Sequence, residues 1–163
     1  MFDPRFLRLA VAQSRRALTE PGTEPFGAVI VRDGVVIGEG VNLSARDFDP
    51  TSHGETEAIR DACRRLRCTD LTGAVLYSSC EPCALCVAAI HIVGIREVHC
   101  AATLEGSNAL LSGVPAAIRR GGDVQALRAD AGRPVAEGSI RASLHADDEA
   151  EAILRSWAAK VAG

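Results

Sequence analysis

Ser79-Cys80-Glu81-Pro82-Cys83-Ala84-Leu85-Cys86 is the stretch on which the reading of this chain turns. The residues just before it, Ala74 to Ser78, are apolar and β-prone. Pro82 suits the first turn of a helix, because a first-turn proline sacrifices no hydrogen bond and brings a preset φ. A strand therefore ends and a helix begins within a few residues. On that helix Cys83 and Cys86 are three apart, which puts both sulfurs on one face. Two thiolates so placed are half of a tetrahedral zinc site. Taken alone, the pair can also be read as a redox Cys-x-x-Cys or as two buried cysteines.

The other half of such a site is offered by His53-Gly54-Glu55, which opens the preceding helical segment. One imidazole and two thiolates make three protein ligands, the number that leaves a position open for water in a catalytic zinc site. Glu55 then remains spare as a proton carrier. By itself His53 reads as a helix cap, and Glu55 as a first-turn carboxylate favoured by the helix dipole. Neither reading explains why the two precede the cysteine motif by one βα unit. Two consecutive helix N-termini at the ends of neighbouring strands are expected to converge on one spot, where their dipoles favour thiolates. Cys80 is expected in the core or behind the ligands, since a fourth ligand would close the open position. Cys63, Cys68 and Cys100 read as small hydrophobes, His91 as core or interface, and His99 and His145 carry no motif.

Outward from this centre the chain falls into simple units. Asp3 caps and Pro4 starts a first helix with Leu7, Ala10, Val11 and Leu18 at helical period, ended by Thr19-Glu20-Pro21-Gly22. Phe26 to Val31 and Val35 to Val41 are strands joined by Asp33-Gly34, a tight-turn signal, and make a hairpin. Leu43 to Ser52 is a polar loop leading into His53. From there Ala58, Ile59, Ala62, Cys63 and Leu66 form one apolar stripe. A third strand covers Ala74 to Ser78, the cysteine helix runs to about Val93 with Gly94 ending it, and a fourth strand covers Glu97 to Ala101. Beyond Thr103 the spacing suggests a short helix over Pro115 to Arg120 closed by Gly121-Gly122, and a fifth strand over Val124 to Leu127. Arg128 to Arg141 reads as loop, and Asp147 to Lys160 as a helix with Ala150, Ile153, Leu154 and Trp157 on one side. This order is that of a mixed α/β layer fold with crossover helices. With no repeat or linker, residues 1–163 read as one domain.

The composition narrows the class of ligand. The chain has 163 residues and a formal net charge of −3, which argues against a polyanion-binding surface and for a small neutral or weakly charged ligand. No run long enough to span a bilayer and no leader pattern is evident, so a reducing cytoplasm is the expected setting of the six cysteines. Aromatic residues are 4%, leaving Phe26, Phe48 and Trp157 as candidates to stack on a planar ring.

His-x-Glu followed by Pro-Cys-x-x-Cys is the signature of zinc deaminases. Pro25-Phe26-Gly27-Ala28-Val29-Ile30-Val31, Gly40-Val41-Asn42, Asp49-Pro50-Thr51-Ser52-His53-Gly54-Glu55 and Cys80-Glu81-Pro82-Cys83-Ala84-Leu85-Cys86 resemble the branch holding guanine deaminases, fungal-type cytosine deaminases and tRNA adenosine deaminases. The resemblance covers roughly residues 4 to 101. It implies a three-layer α/β/α sandwich around a mixed five-stranded sheet, usually in a homodimer. It also implies that Asn42 hydrogen-bonds a base and that the Gly54 N–H contacts a ring substituent. The Cys83 N–H would help hold the reacting water, and the Glu81 carbonyl would accept from the departing amine. The usual His-Ala-Glu is here His-Gly-Glu, which suggests a slightly deeper pocket floor at Gly54. The acidic, aromatic segment that guanine deaminases carry after the fourth strand is not reproduced in Thr103 to Leu110, where Glu105 or Asn108 are possible substitutes.

The function expected from all this is zinc-dependent hydrolytic deamination of a free nucleobase or small amino-heterocycle, such as cytosine, guanine or an aminotriazine. Ammonia would be released by attack of zinc-bound hydroxide, with Glu55 as proton shuttle. A tRNA adenosine deaminase shares the motifs but needs a cationic face for phosphates. A structural zinc or redox module has no use for Glu55.

Overall fold

The computed structural model describes residues 2–115, 118, 123–143 and 145–162. These divide into two compact units, Met1–Ala131 and Gly132–Gly163.

In the first unit, helix α1 (Pro4–Ser14) is capped by Asp3, whose carboxylate accepts from the Arg5 N–H, and continues into a 3-10 turn, Arg15–Leu18. Strands β1 (Glu24–Arg32) and β2 (Val35–Asn42) form the expected hairpin. Asp33 and Gly34 at its tip both have positive φ, 53° and 74°, as a tight turn that follows the strand twist requires. A short helix α2 (Ser44–Asp47) interrupts the polar loop after β2, and helix α3 (Gly54–Leu66) follows. Then come β3 (Val75–Ser78), α4 (Ala84–Ile92), β4 (Glu97–Cys100) and α5 (Leu104–Leu111). Gly94, at φ 83°, closes the α4 end.

Alternation along the strands builds the layers. Ala28, Ile30 and Leu76 face one way, onto Ala58, Ile59 and Ala62 of α3 and Ile90 of α4. Val29, Val31 and Tyr77 face the other way, onto Ala10, Phe6 and Leu7 of α1. The side-chain period of two thus gives each strand a core on both faces, and the fold is the three-layer α/β/α sandwich.

The sheet order is β2-β1-β3-β4, with β1 antiparallel to both neighbours and β3 parallel to β4. Two expectations are corrected here. The strands that feed α3 and α4 are not neighbours: β1 lies between β2 and β3, so its beginning, Glu24 to Phe26, sits between the two helix N-termini. The described sheet also has four strands rather than five. Val124 to Leu127 is not a strand but the start of helix α6 (Val124–Ala131). The Asp123 carboxylate accepts from the N–H groups of Gln125 and Ala126, capping a run of good helix formers whose apolar residues Val124 and Leu127 are three apart. The helix suggested for Pro115 to Arg120 and its Gly-Gly stop lie largely outside the described residues.

The second unit contains a 3-10 turn, Val135–Glu137, and helix α7 (Asp148–Ala162), which carries Ala150, Ile153, Leu154 and Trp157 as expected. No described helix is long and apolar enough to cross a membrane.

Candidate active site

Each half of the site is a helix start. His53 is the N-cap of α3 and Cys83 the N-cap of α4. Pro82 therefore stands one residue before the cap rather than in the first turn, and Cys86 is the third residue of the helix. The approach to His53 is held by its own neighbours. Ser52 donates its hydroxyl to Glu57 (2.8 Å), Thr56 donates to the Thr51 carbonyl (2.6 Å), and Arg60 pairs with both Glu57 and Asp49. Pairing of β1 with β3 brings the second half alongside: Ser79 N–H donates to Gly27 O at 2.8 Å, and Gly27 N–H donates to Ser79 Oγ at 2.9 Å.

The structure brings His53, Cys83 and Cys86 together as a cluster able to hold a metal. Tetrahedral zinc, bonded at about 2.3 Å to sulfur and about 2.0–2.1 Å to nitrogen, requires roughly 3.8 Å between sulfurs and roughly 3.6 Å between sulfur and nitrogen. The observed Cys83–Cys86 Sγ separation is 3.7 Å, and His53 Nδ1 lies 3.5 and 3.4 Å from those two sulfurs. The donor set and its spacing fit zinc. The Cys86 thiol beside Cys83, together with His53, holds the Cys83 thiol down at about 4, so that it is a thiolate at neutral pH. The shared proton and burial push Cys86 up, and the bond to Cys83 raises His53.

Glu55 stands one step outside this cluster. It is 5% exposed, with Oε2 3.4 Å from Cys86 Sγ and Oε1 accepting from the Ser78 hydroxyl at 3.1 Å. Burial raises its carboxyl above the usual range, so it holds a proton more readily than a surface glutamate. Cys80 is buried but engaged elsewhere, with Sγ 3.0 Å from Ser107 Oγ on α5.

A cleft of about 640 Å³ opens over the cluster. Among the other residues expected at the site, Asn42, Phe26 and Glu81 line it. Asn42 Oδ1 accepts from the Ser44 N–H at 2.9 Å, which leaves the amide nitrogen as its donor. Glu81 carries more than a backbone carbonyl: its carboxylate accepts from the Leu104 N–H at 3.0 Å and from Arg128 at 2.5 Å. Phe48, at φ 53° and 93% exposed, also lines the cleft, whereas Trp157 belongs to the second unit. Asn108 lines it, and Glu105 is exposed on α5.

The deeper floor expected at Gly54 is not found. The space a β-carbon would take is filled by the backbone of Phe26, 2.5 Å from where that carbon would stand. Sequence reasoning also missed Glu24, Ser78 and Asp123. The polar pair Ser78-Ser79 closing an apolar strand was the available signal for one of them. Glu24 and Asp123 are brought in by strand order and by α6, which local sequence does not encode.

The cytidine and deoxycytidylate deaminase zinc-binding region matches residues 1–102. Guanine deaminase of Bacillus subtilis (strain 168) is 43% identical over 97 residues, 60% of this chain and 62% of that protein. The tRNA-specific adenosine deaminase of Aquifex aeolicus (strain VF5) is 41% identical over 93 residues, 57% of this chain and 61% of that protein. The chain thus spans about three fifths of the length of these curated relatives. The X-ray structure of guanine deaminase from Bacillus subtilis superimposes with a TM-score of 0.78 at 32% identity, over 96% of this chain and 94% of that one. With a His/Cys/Cys cluster of zinc dimensions inside the matched region, the chain belongs to the cytidine and deoxycytidylate deaminase family.

Proposed function

We propose that this protein is a zinc-dependent aminohydrolase acting on a free nucleobase or a related small amino-heterocycle. The observation that carries this reading is the placement of Glu55 beside, and not within, a three-ligand cluster at the floor of a cleft. His53, Cys83 and Cys86 would hold the metal. The chemistry that zinc supplies when bound is acidification of water toward neutral pH.

The remaining work falls to the protein. Glu55 takes one proton from the attacking water and passes it to the ring nitrogen next to the amino-bearing carbon. A second proton delivered to the amino group lets the C–N bond break, so water and an amidine become a carbonyl and ammonia. Asn42 offers its amide N–H to an acceptor on the ring, and the Glu81 carbonyl accepts from the leaving amine. Phe26 and Phe48 provide apolar faces for a planar substrate.

The charge of the cleft supports a base without phosphate. Its described lining has four carboxylates, Glu24, Glu55, Glu81 and Asp123, of which Glu81 is paired with Arg128, and no lysine or arginine. Such walls favour a substrate rich in N–H donors and repel a phosphate. A tRNA adenosine deaminase is the second reading, favoured by the identity with the Aquifex aeolicus enzyme. A homodimer is proposed as well, supported by the outward apolar positions Val87 and Ile92 of α4, 42% and 83% exposed.

The test is ammonia release from cytosine, guanine, adenine, isocytosine, aminotriazines and nucleosides, by wild type and by Glu55→Gln with zinc content matched. Turnover of free bases that Glu55→Gln abolishes supports the proposal. Full activity in Glu55→Gln overturns it. Silence on every small molecule, with turnover of an anticodon stem-loop, establishes the second reading instead.

A further inference from the structure

Ser78 is the last residue of β3 and is 1% exposed. Its backbone is fixed from both sides, by register with Ala28 of β1 and with Cys100 of β4, and by a bond from the Ala101 N–H to its carbonyl at 3.1 Å. It shares a sheet face with Leu76, the face that meets α3 and α4 and is otherwise apolar. A hydroxyl at such a place costs free energy unless its bonds are made. Both are made. Ser78 Oγ accepts from the Cys80 N–H at 3.4 Å and stands 3.1 Å from Glu55 Oε1. With the N–H of Cys80 on one lone pair, the hydroxyl proton is donated to the carboxylate.

We infer that Ser78 is the positioning residue for Glu55. Its hydroxyl occupies Oε1 and so assigns Oε2, the oxygen beside Cys86, to the reacting protons. The carboxylate has two chemically equal oxygens and a softly held terminal torsion, so burial alone does not choose between its orientations. A donor anchored in the middle of a sheet does. Ser78 does not itself line the cleft, and its hydroxyl reaches the site through Glu55.

The inference rests on the aminohydrolase reading, and its test separates the two. Zinc-loaded Ser78→Ala and Ser78→Thr are compared with wild type for zinc content, kcat, KM and the crystallographic orientation of Glu55. Ser78→Ala is expected to keep its zinc and its KM to within about threefold while kcat falls roughly 10- to 100-fold, the scale of one lost hydrogen bond to a charged group. Its Glu55 carboxylate is expected to rotate or occupy two orientations. Ser78→Thr, which retains the hydroxyl, is expected to recover most of kcat. Unchanged kcat in Ser78→Ala, equal losses in the two variants, or a Glu55 that keeps its orientation without the hydroxyl would each overturn the inference. Should wild type release no ammonia from any substrate, the aminohydrolase reading fails, and the orientation of Glu55 in Ser78→Ala still decides the role of Ser78.

Discussion

The α-carbon of Gly54 lies so close to the backbone of Phe26 that a β-carbon there would be 2.5 Å from the Phe26 carbonyl oxygen. Gly54 is the first residue of α3, between His53 and Glu55, and Phe26 lines the cleft. A methyl at this place meets backbone, which has no rotamer by which to yield. Gly54→Ala is therefore expected to cost about 1–3 kcal/mol, the range of overpacked cores, and to shift Phe26. Denaturant unfolding checks the first part, and the KM for a base checks the second. A fully stable Gly54→Ala with unchanged KM would mean that β1 and α3 part easily.

Removal of zinc should loosen the whole first unit, because the cluster ties two helix starts that the chain reaches 30 residues apart. At a free zinc concentration a thousandfold above Kd, the ion contributes roughly 4 kcal/mol. For a chain of this size that is a fall in Tm of roughly 8–16 °C on chelation. Cys86→Ala, which removes a fully buried ligand, is expected to lose stoichiometric zinc and to unfold near the temperature of the chelated protein. Calorimetry with and without chelator, beside metal analysis of the variant, measures both.

Arg128 tests how α6 holds its place as a wall of the cleft. Its guanidinium meets the Glu81 carboxylate at 2.5 Å, and both side chains are more than a third exposed. A pair so solvated contributes about 0–1 kcal/mol to stability. Arg128→Ala should therefore leave Tm nearly unchanged. Val124, Leu127 and Asp123 line the cleft from this helix, so the expected loss is in substrate binding: KM rises severalfold while kcat holds. A kcat that falls with KM constant would place Arg128 in the chemistry instead.

Acid should loosen the turn before His53 ahead of the core. The Asp49 carboxylate accepts from the Thr51 hydroxyl at 2.7 Å and from the Thr51 N–H at 2.8 Å, and these bonds hold it below the ordinary value of 3.8. Its folded pKa is depressed, so its contribution to stability is present above 3.8 and is lost as pH falls through that value toward the folded one. As pH falls below about 3.8 the Thr51 amide is expected to lose hydrogen-exchange protection. Asp49→Asn should show a shallower decline over that range. An identical decline in the two proteins would assign the effect to other carboxylates.

The local part of this fold was plain in the sequence, and the non-local part was not. Asp33-Gly34 announced a hairpin because its turn geometry depends on those two residues alone. Cys83 and Cys86, read together with His53 and Glu55, announced a metal site because their spacing at a helix start brings the two sulfurs close. Strand order is a different kind of information. That β1 separates β2 from β3, and so carries Glu24 and Phe26 to the site, follows from long-range pairing such as Gly27 with Ser79. Val124 to Leu127 misled for a related reason. Four residues rich in β-prone and neutral types fit either state, and the Asp123 cap decided for helix. At Gly54, the missing methyl pointed to empty space, when the space had been taken by a neighbouring backbone.

His53 and Glu55 ride on one half of the first unit, after β2, and Cys83 and Cys86 on the other, after β3. The two halves are joined through an exposed connector, residues 67–70. Neither half holds a complete set of ligands, and the set closes only when β3 has found β1. The ion thereby inspects the topology of the chain. A molecule with its strands in the wrong order has no place to keep zinc, so on the proposed function only chains that have passed the test of their own long-range assembly would be competent.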